Sequence, residues 1–142
     1  MEVRQLSILF ENKTGRLSAV TKTLGDNGIS IRAMSASDTI DYGILRLIVD
    51  KPDLALEKIK EAGFTATLTR AVAIGISDEA GALHKAMDII GDNGLSVEYI
   101  YAFTNQQHLA YVILRFDDND RAIEVLKANG IHMVSQEELE NS

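Results

Sequence analysis

Apolar residues alternate with polar ones at the start of the chain and then recur at helical spacing. The period of two predicts a strand over residues 3–10, and the positions i, i+3 and i+7 that follow predict a helix ended by Asn27 and Gly28. Glycine ends a helix readily because it adopts the left-handed conformation without steric cost. Two further strands, a helix beginning at Pro52 and a fourth strand complete a β-α-β-β-α-β series by residue 70.

The second half of the chain repeats this series. Residues 25–31 read GDNGISI and residues 91–97 read GDNGLSV, which is an offset of 66 positions. The same offset takes the turn at residues 15–17 to residues 81–83. Two copies that match in the same order, with only small changes in loop length, indicate an internal duplication.

The order β-α-β-β-α-β is that of the ferredoxin-like plait, an antiparallel sheet with both helices on one face. We therefore predict an α+β protein of two ferredoxin-like plaits in tandem, with domains at residues 1–70 and 71–142. The period of two assigns twelve residues to the helix-covered faces: Leu6, Ile8, Ile29, Ile31, Leu45, Leu47, Val72, Ile74, Leu95, Val97, Leu114 and Phe116.

The opposite face of each predicted sheet, the back face, is also apolar. A sheet face open to water normally carries polar side chains, and an exposed apolar patch marks an interface. We therefore expect the back face to be buried, most simply by a second copy in a homodimer. The alternative is that strands favour apolar residues by propensity alone. The residues assigned to this face are Val3, Leu9, Met34, Ile44, Ile48, Ala71, Ala73, Gly75, Ile100, Ala102, Tyr111 and Ile113.

The same parity places three aromatic residues and three arginines. Tyr99, Tyr101 and Phe103 share the parity of the core positions before them, so core packing is their favoured role, with a ligand pocket as the alternative. A buried arginine needs a carboxylate partner. The arginines assigned to the back face are Arg32, Arg46 and Arg115, and Glu98 is a plausible partner.

Charge and composition exclude several classes of function. The formal charge of −7 opposes a nucleic-acid partner, because such a protein needs a basic surface. The absence of cysteine excludes disulfides, zinc–thiolate sites and thiol nucleophiles. No apolar run approaches the roughly 20 residues that span a bilayer, and the chain opens without a signal-like segment. We therefore expect a cytoplasmic protein with no membrane partner.

The turn between the first strand and first helix of each copy is the candidate ligand site. Gly15 and Gly81 stand where the helices begin, so free backbone N–H groups and the positive end of the helix dipole can together seat a carboxylate. The alternative is that each glycine only closes a tight turn while Thr14 or Asp78 caps the helix. The candidate residues are Glu11, Asn12, Lys13, Thr14, Gly15, Arg16, Leu17, Asp78, Glu79, Ala80, Gly81, Ala82 and Leu83.

The repeated plait, the turn glycine followed by leucine, and the passages Asn-Gly-Ile-Ser-Ile and Asn-Gly-Leu-Ser-Val resemble a pair of ACT domains. These are amino-acid-binding regulatory modules attached to many enzymes of amino-acid metabolism, and the resemblance covers nearly the whole chain. It implies a non-catalytic protein that binds a free amino acid at the seam between the repeats, with Ser30 and Ser96 touching the ligand. It also implies that the two sheets join side by side with the helices on one face. The resemblance further implies no cofactor and an enzyme of amino-acid metabolism as a partner.

The match to the family pattern is incomplete. Asn12 and Gly15 fit a frequent pattern, an asparagine three residues before the turn glycine, whereas the second copy has Asp78 in place of the asparagine. The histidine that the family often has five residues before the glycine is replaced by Phe10 and by Ile76. Because Asp78 favours the ammonium group of a ligand, we expect the two sites to differ in affinity.

Two other functions stay open beside an amino-acid sensor. One is a structural dimerisation module without a ligand, and the other is a small acylphosphatase-like hydrolase. The hydrolase needs an arginine in a phosphate-binding loop, but Ala82 stands in the second copy where Arg16 stands in the first. An RNA-binding plait would need aromatic residues on the open sheet face and basic charge. The parity of the aromatic residues opposes the first requirement, and the charge of −7 opposes the second. No metal site is predicted, because the three histidines, His84, His108 and His132, lie in different elements.

Overall fold

The computed structural model describes the chain except for Asn12, Thr39, Ile40 and Gln106 and the side chain of Asp38. The chain divides into two compact units. The first-repeat unit comprises Arg4–Thr69 with Leu139–Ser142, and the second-repeat unit comprises Met1–Val3 with Arg70–Glu138. That residues 1–70 and 71–142 are separate domains stays a prediction.

The first-repeat unit is a complete plait. Its sheet has the order β2-β3-β1-β4, which is the strand order of the ferredoxin-like fold. Both helices pack on one face through an apolar stripe that includes Val20 of the first helix and Ile59 of the second. The elements are β1 (Val3–Glu11), α1 (Arg16–Asp26), β2 (Ile31–Asp38), β3 (Tyr42–Val49), α2 (Pro52–Glu61) and β4 (Thr65–Ser77).

The second-repeat unit has the same topology. The later part of β4 is its first strand, and the order β5-β6-β4 continues to β7, which pairs with β4. The last strand has only two residues, and a short helix that the sequence analysis did not predict follows it. The elements are α3 (Ala82–Asp92), β5 (Val97–Thr104), β6 (Leu109–Phe116), α4 (Asn119–Ala128), β7 (His132–Met133) and α5 (Gln136–Glu140). The prediction of two tandem ferredoxin-like plaits is confirmed. None of the described helices is long and apolar enough to cross a membrane.

Each unit has its own apolar core between helices and sheet. All twelve residues predicted for the helix-covered faces belong to these two clusters or pack against them. A buried aliphatic side chain contributes about 1.5–3 kcal/mol relative to an exposed one, so these faces account for much of the driving force for folding. The period-two reading of the central strands is therefore confirmed.

A register shift in the second strand of each repeat reverses part of the predicted pattern. β2 shifts against β3 between Ile31 and Ala33, and β5 shifts against β6 between Val97 and Tyr99. A bulge adds one residue to one strand, and every later side chain then turns to the opposite face. The two shifts lie at equivalent places in the duplicated sequence.

The shift in β2 overturns one back-face assignment, and the shift in β5 overturns two. Met34 pairs with Leu47 and Ile100 pairs with Leu114, so both side chains lie on the helix-covered side. Ala102 lies there for the same reason. The prediction that these three residues lie on the back face is wrong, because a plain period of two does not include the bulge.

The shift in β5 places the aromatic residues of that strand on the back face instead of in the core. Tyr101 pairs with Ile113 and Phe103 with Tyr111, so the aromatic row faces the back of the sheet, and the core-packing prediction is wrong. The rings of Phe103 and Tyr111 meet edge to face with centroids 5.4 Å apart. Tyr99 follows the same parity and stacks near Tyr101 with centroids 6.5 Å apart. One of the two sequence arguments against an RNA-binding plait is thereby lost, and the argument from the charge of −7 remains.

The chain itself covers part of the back face. In the second-repeat unit the N–H of Val134 donates to the carbonyl of Ala73 at 2.8 Å, and the Tyr111 hydroxyl donates to Glu138 Oε2 at 3.2 Å. A Cβ at Gly75 would lie 3.4 Å from Val134 Cγ2, so the segment after β7 begins beside β4. The buried residues of this area are Ala71, Ala73, Tyr111 and Ile113. The expectation that another chain buries them is wrong, because they are already buried within the single chain.

The back face of the first-repeat unit is only partly covered. Ile48 is buried there, and the Arg32 side chain donates to the carbonyl of Glu140 at 3.3 Å. Leu9 and Ile44, which pair across β1 and β3, keep 43% and 38% of their surface exposed. A small apolar area of this face is therefore open.

Polar groups on these faces are paired. Gln5 is fully buried, and its Nε2 donates to Thr69 Oγ1 at 3.0 Å. Arg115 forms an ion pair with Glu98, Nε to Oε2 at 3.3 Å, as the sequence analysis expected. The pairing matters most for Gln5, because a buried polar group without a partner costs about 1–3 kcal/mol, whereas Arg115 and Glu98 are partly exposed.

The burial of the C-terminal segment predicts a specific loss of stability. Leu139 is fully buried. We expect Leu139→Ala to lower the free energy of unfolding by about 2–5 kcal/mol through lost burial and a cavity, measured by urea denaturation followed by circular dichroism. Leu9→Ala is the matched control, because Leu9 is 43% exposed and its truncation should cost much less. Equal losses in the two variants would show that the C-terminal segment is not part of the folded core.

Candidate functional site

The two predicted turns share an unusual backbone. Gly15 and Gly81 are the N-cap residues of α1 and α3, with φ of 88° and 89° in the left-handed region. Glycine adopts this conformation freely, whereas other residues are strained there. A Cβ at either position would meet no described atom within 4 Å. The glycine is therefore required by the turn itself, and the space beside it is open.

The starts of both helices offer hydrogen-bond donors. In the described part of the chain, no side chain caps α1 or α3, so the capping role considered for Thr14 and Asp78 is not observed. The N–H of Ala82 donates back to the turn at Glu79 O, at 3.1 Å. Among the residues with described positions, none accepts from the N–H groups of Leu83 and His84. These two donors, together with the helix dipole, form a seat for an anionic group.

The turn of the first-repeat unit carries both signs of charge. Lys13 Nζ lies 2.9 Å from Glu11 Oε2, and Arg16 Nη2 lies 3.9 Å from the same oxygen. The hydrogen bond and the charge of Lys13, with a smaller contribution from Arg16, lower the pKa of the exposed Glu11 carboxyl. Asn12, a predicted site residue, lies outside the described residues. A pocket of about 160 Å³ beside this turn is lined by Leu9, Phe10, Glu11, Arg16, Tyr42, Gly63, Phe64 and Thr65.

The turn of the second-repeat unit is acidic. Asp78 and Glu79 are exposed, and no ion pair is formed by either of them with a described residue. The N–H of Asp78 donates to the carbonyl of His108 at 3.2 Å, which ties the end of β4 to the β5–β6 connection. This turn therefore differs from its counterpart in net charge, although the backbone conformation of the two glycines is the same.

The acidic turn borders an open pocket of about 400 Å³. Its floor is the outer end of the sheet on the helix-covered side, its wall is the start of α3, and its rim is the turn. Leu83 is exposed at this wall, as Leu17 is at the start of α1. The described lining residues are Ile76, Ser77, Asp78, Glu79, Leu83, Ala102, Phe103, Thr104, Ala110 and Val112.

Two predicted site residues lie far from these turns within their own units. Glu11 pairs with Tyr42 at one end of β3, whereas the N–H of Ser30 donates to Asp50 beyond the other end, at 2.8 Å. At about 3.4 Å per strand residue, more than 20 Å of sheet separates them. Ser96 stands at the equivalent place, where its carbonyl accepts from the N–H of Asp117. The ligand contact predicted for the two serines stays a prediction.

The sequence analysis missed a contact that shapes the first-repeat unit. Phe10 is buried and pairs across the sheet with Gly43. A Cβ at Gly43 would lie 2.7 Å from Phe10 Cε1, which is too close, so glycine there makes room for the ring. The signal was present in the sequence, because Phe10 replaces Ile76 of the second copy and a glycine lies opposite it.

The histidines do not assemble a metal site. His84 pairs with Asp88 at 3.2 Å and His132 with Glu138 at 3.0 Å, in different parts of the second-repeat unit. Within the described residues no group of three or more histidine, aspartate or glutamate side chains could hold a metal ion. The described groups of the second turn are N–H donors, carboxylates and apolar surface, and the first turn adds the cations Lys13 and Arg16; these groups suit binding.

Comparisons with solved structures support the same fold over the whole chain. A crystal structure of a protein from Bacteroides thetaiotaomicron is 36% identical, with a TM-score of 0.93, and covers 100% of this chain and 98% of that one. The regulatory subunit of aspartate kinase from Thermus thermophilus, in a ligand-free form, is 18% identical with a TM-score of 0.62, covering 89% of this chain and 93% of that one. At this lower identity the likeness concerns the fold alone.

A third structure contains the fold within a longer chain. The aspartate kinase of Clostridium acetobutylicum is 12% identical with a TM-score of 0.53, and the match covers 88% of this chain but 32% of that one. A search of the curated proteins finds no match to the sequence. The family model described as an ACT domain pair matches residues 1–142. The chain, with its two plaits and two glycine-capped turns, therefore belongs to the family of ACT domain pairs.

Proposed function

We propose that this protein is a regulatory domain pair that senses a free amino acid by binding it, without catalysing a reaction. The observation that carries the proposal is the open pocket of about 400 Å³ beside the Gly81 turn. The family and the regulatory subunit among the similar structures support a regulatory role. The ligand class is inferred from the chemistry of the pocket.

The pocket offers a complement to each part of an amino acid. The N–H groups of Leu83 and His84 and the helix dipole suit the α-carboxylate. The carboxylates of Asp78 and Glu79 at the rim suit the α-ammonium group, and Ile76 provides apolar surface for a side chain. This arrangement holds a zwitterion at both ends, and it contains no group that must react.

Regulation by such a site needs a difference in affinity between two states. A ligand shifts a conformational equilibrium only as far as it binds one conformation more tightly than the other. The pocket draws on β4, β5, β6 and α3, so its shape depends on how α3 sits on the sheet within that unit. We propose that an enzyme of amino-acid metabolism reads this change, as a partner or as an attached domain.

A structural dimerisation role is the second candidate, because Leu9 and Ile44 leave an apolar area open on the back face of the first-repeat unit. This area is smaller than the sequence analysis expected. The hydrolase is not proposed, since the two turns do not share an arginine.

The sensor predicts ligand-dependent stabilisation. We expect at least one of the twenty common amino acids to raise the melting temperature by several degrees in a thermal-shift panel, because a ligand at about 100 times its Kd adds about 2.7 kcal/mol to the stability. Isothermal titration calorimetry with the same ligand then gives the affinity. A panel in which no amino acid shifts the melting temperature would contradict the proposal and favour the structural role.

Blocking the open space at the turn should remove this response. We expect Gly81→Ala to abolish the ligand-induced shift, because the added methyl group enters the space beside the free N–H donors. Gly130→Ala is the matched control: Gly130 lies in the same unit with φ of 77° and no described atom within 4 Å of a Cβ. Both variants should lose a similar amount of stability, about 1 kcal/mol, through left-handed strain. Loss of the ligand response in both, or in neither, would contradict the assignment of the site.

The dimer proposal has its own test. We expect light scattering to give twice the chain mass for the wild-type protein, and Ile44→Asp to give a monomer, because a charge in the open apolar area opposes association. Glu57→Lys, a charge change on α2, is the control. A wild-type monomer at all concentrations excludes the homodimer.

A further inference from the structure

We infer that the amino-acid site is confined to the second-repeat unit and selects a ligand with an apolar side chain over an acidic one, because Phe10 occupies the matching position of the first-repeat unit. The inference rests on the proposed function, and it adds where the ligand binds and which class it belongs to. It is carried by two differences between the repeats, one in packing and one in charge.

The packing difference concerns one cross-strand pair. Phe10 faces Gly43 in the first-repeat unit, and Ile76 faces Ala110 in the second. In each unit this is the second-to-last cross-strand pair, and it is next to the candidate turn. Both pairs lie on the helix-covered face of the sheet. The two pairs are therefore equivalent positions of the duplicated fold.

The two pairs fill their space differently. Phe10 is only 8% exposed, and its ring lies where a Cβ of residue 43 would be. Ile76 and Ala110 instead line the pocket of about 400 Å³. A phenylalanine ring packed on a glycine thus takes, in the first-repeat unit, the floor that the second-repeat unit leaves open to a ligand.

The charge difference sets the ligand class. Around the second turn stand Asp78 and Glu79, with no cation paired to them in the described part of the chain, whereas Lys13 and Arg16 surround Glu11 in the first. Like charges repel, and they repel more strongly at a partly shielded site than in open water. An acidic side chain is therefore opposed at the second turn, and an ammonium group is favoured.

The floor of the pocket completes the selection. Ile76, Val112 and Leu83 present apolar surface, and Ala102 and Ala110 leave room above the sheet because their side chains are small. Removing apolar surface from water favours binding roughly in proportion to the area buried. Branched or aromatic side chains gain most from such a floor, so the geometry favours amino acids of the leucine, valine, methionine or phenylalanine type.

The test exchanges the cross-strand pairs in the full-length chain. Isothermal titration calorimetry with leucine, valine, methionine, phenylalanine and glutamate should give one site per chain and at least tenfold weaker binding of glutamate. The double variant Ile76→Phe with Ala110→Gly copies the first-repeat pair and should abolish binding. The reciprocal variant, Phe10→Ile with Gly43→Ala, changes the first repeat by the same exchange and should retain the affinity of the second site.

A second variant keeps the test decisive if the double variant does not fold. Asp78→Asn with Glu79→Gln changes only exposed side chains, and it should narrow the preference for apolar ligands over glutamate at least fivefold. Lys13→Gln with Arg16→Gln is its matched control in the other turn and should leave the preference unchanged.

The outcomes separate this inference from the proposed function. Two sites per chain, loss of binding in the reciprocal variant alone, or glutamate as the tightest ligand would overturn the inference and leave the sensor in place. An absence of binding by all common amino acids would overturn both. One site that responds to the second-repeat variants and not to the first-repeat variants supports the inference.

Discussion

The one-residue bulge near the start of the second strand in each plait determines which side chains reach the candidate site. After the shift between Val97 and Tyr99, Ala102 and Thr104 face the helix-covered side at the outer end of β5. A plain alternation would turn Tyr101 to that side, and its ring would stand over the pocket floor. The bulge therefore leaves the pocket open on one face of the sheet and places an aromatic row on the other. The matching shift in β2 turns Met34 to the helix-covered side, as the shift in β5 turns Ile100.

Duplication has kept the backbone of the turn and changed its side chains. The two glycines have almost the same φ. Both copies keep glycine here because other residues are strained in the left-handed conformation. The neighbouring side chains are exposed and make few packing contacts, so the turn retains its conformation when Lys13 is matched by Glu79. The two turns therefore share the backbone conformation of their glycines and differ in electrostatic character.

The sequence predicts the fold well because the fold depends on features with long-range regularity. Alternation in the central strands, such as Leu45 and Leu47, identifies the core, and the repeat confirms the element order. The bulge in β5 is hard to detect because apolar residues occur in both parities, Ile100 and Ala102 in one and Tyr99, Tyr101 and Phe103 in the other. The helix α5 has five residues, too few for a helical period, so the cover over Tyr111 could not be foreseen. The turn glycines were found, whereas the Phe10–Gly43 contact required a comparison of the two copies.

In the sensor that we propose, one turn holds both ends of an amino acid, because its donors and its carboxylates are close in sequence. Asp78 and Leu83 lie within six residues, on either side of the left-handed Gly81. In a free amino acid the carboxylate and the ammonium group share one carbon atom, so a single compact turn can address both. A simple amine or a simple acid satisfies only one of the two groups and leaves the other without a partner. In this proposal, selection for the zwitterion follows from the turn, and selection among side chains follows from the pocket floor beneath it, where Ile76 stands in place of Phe10.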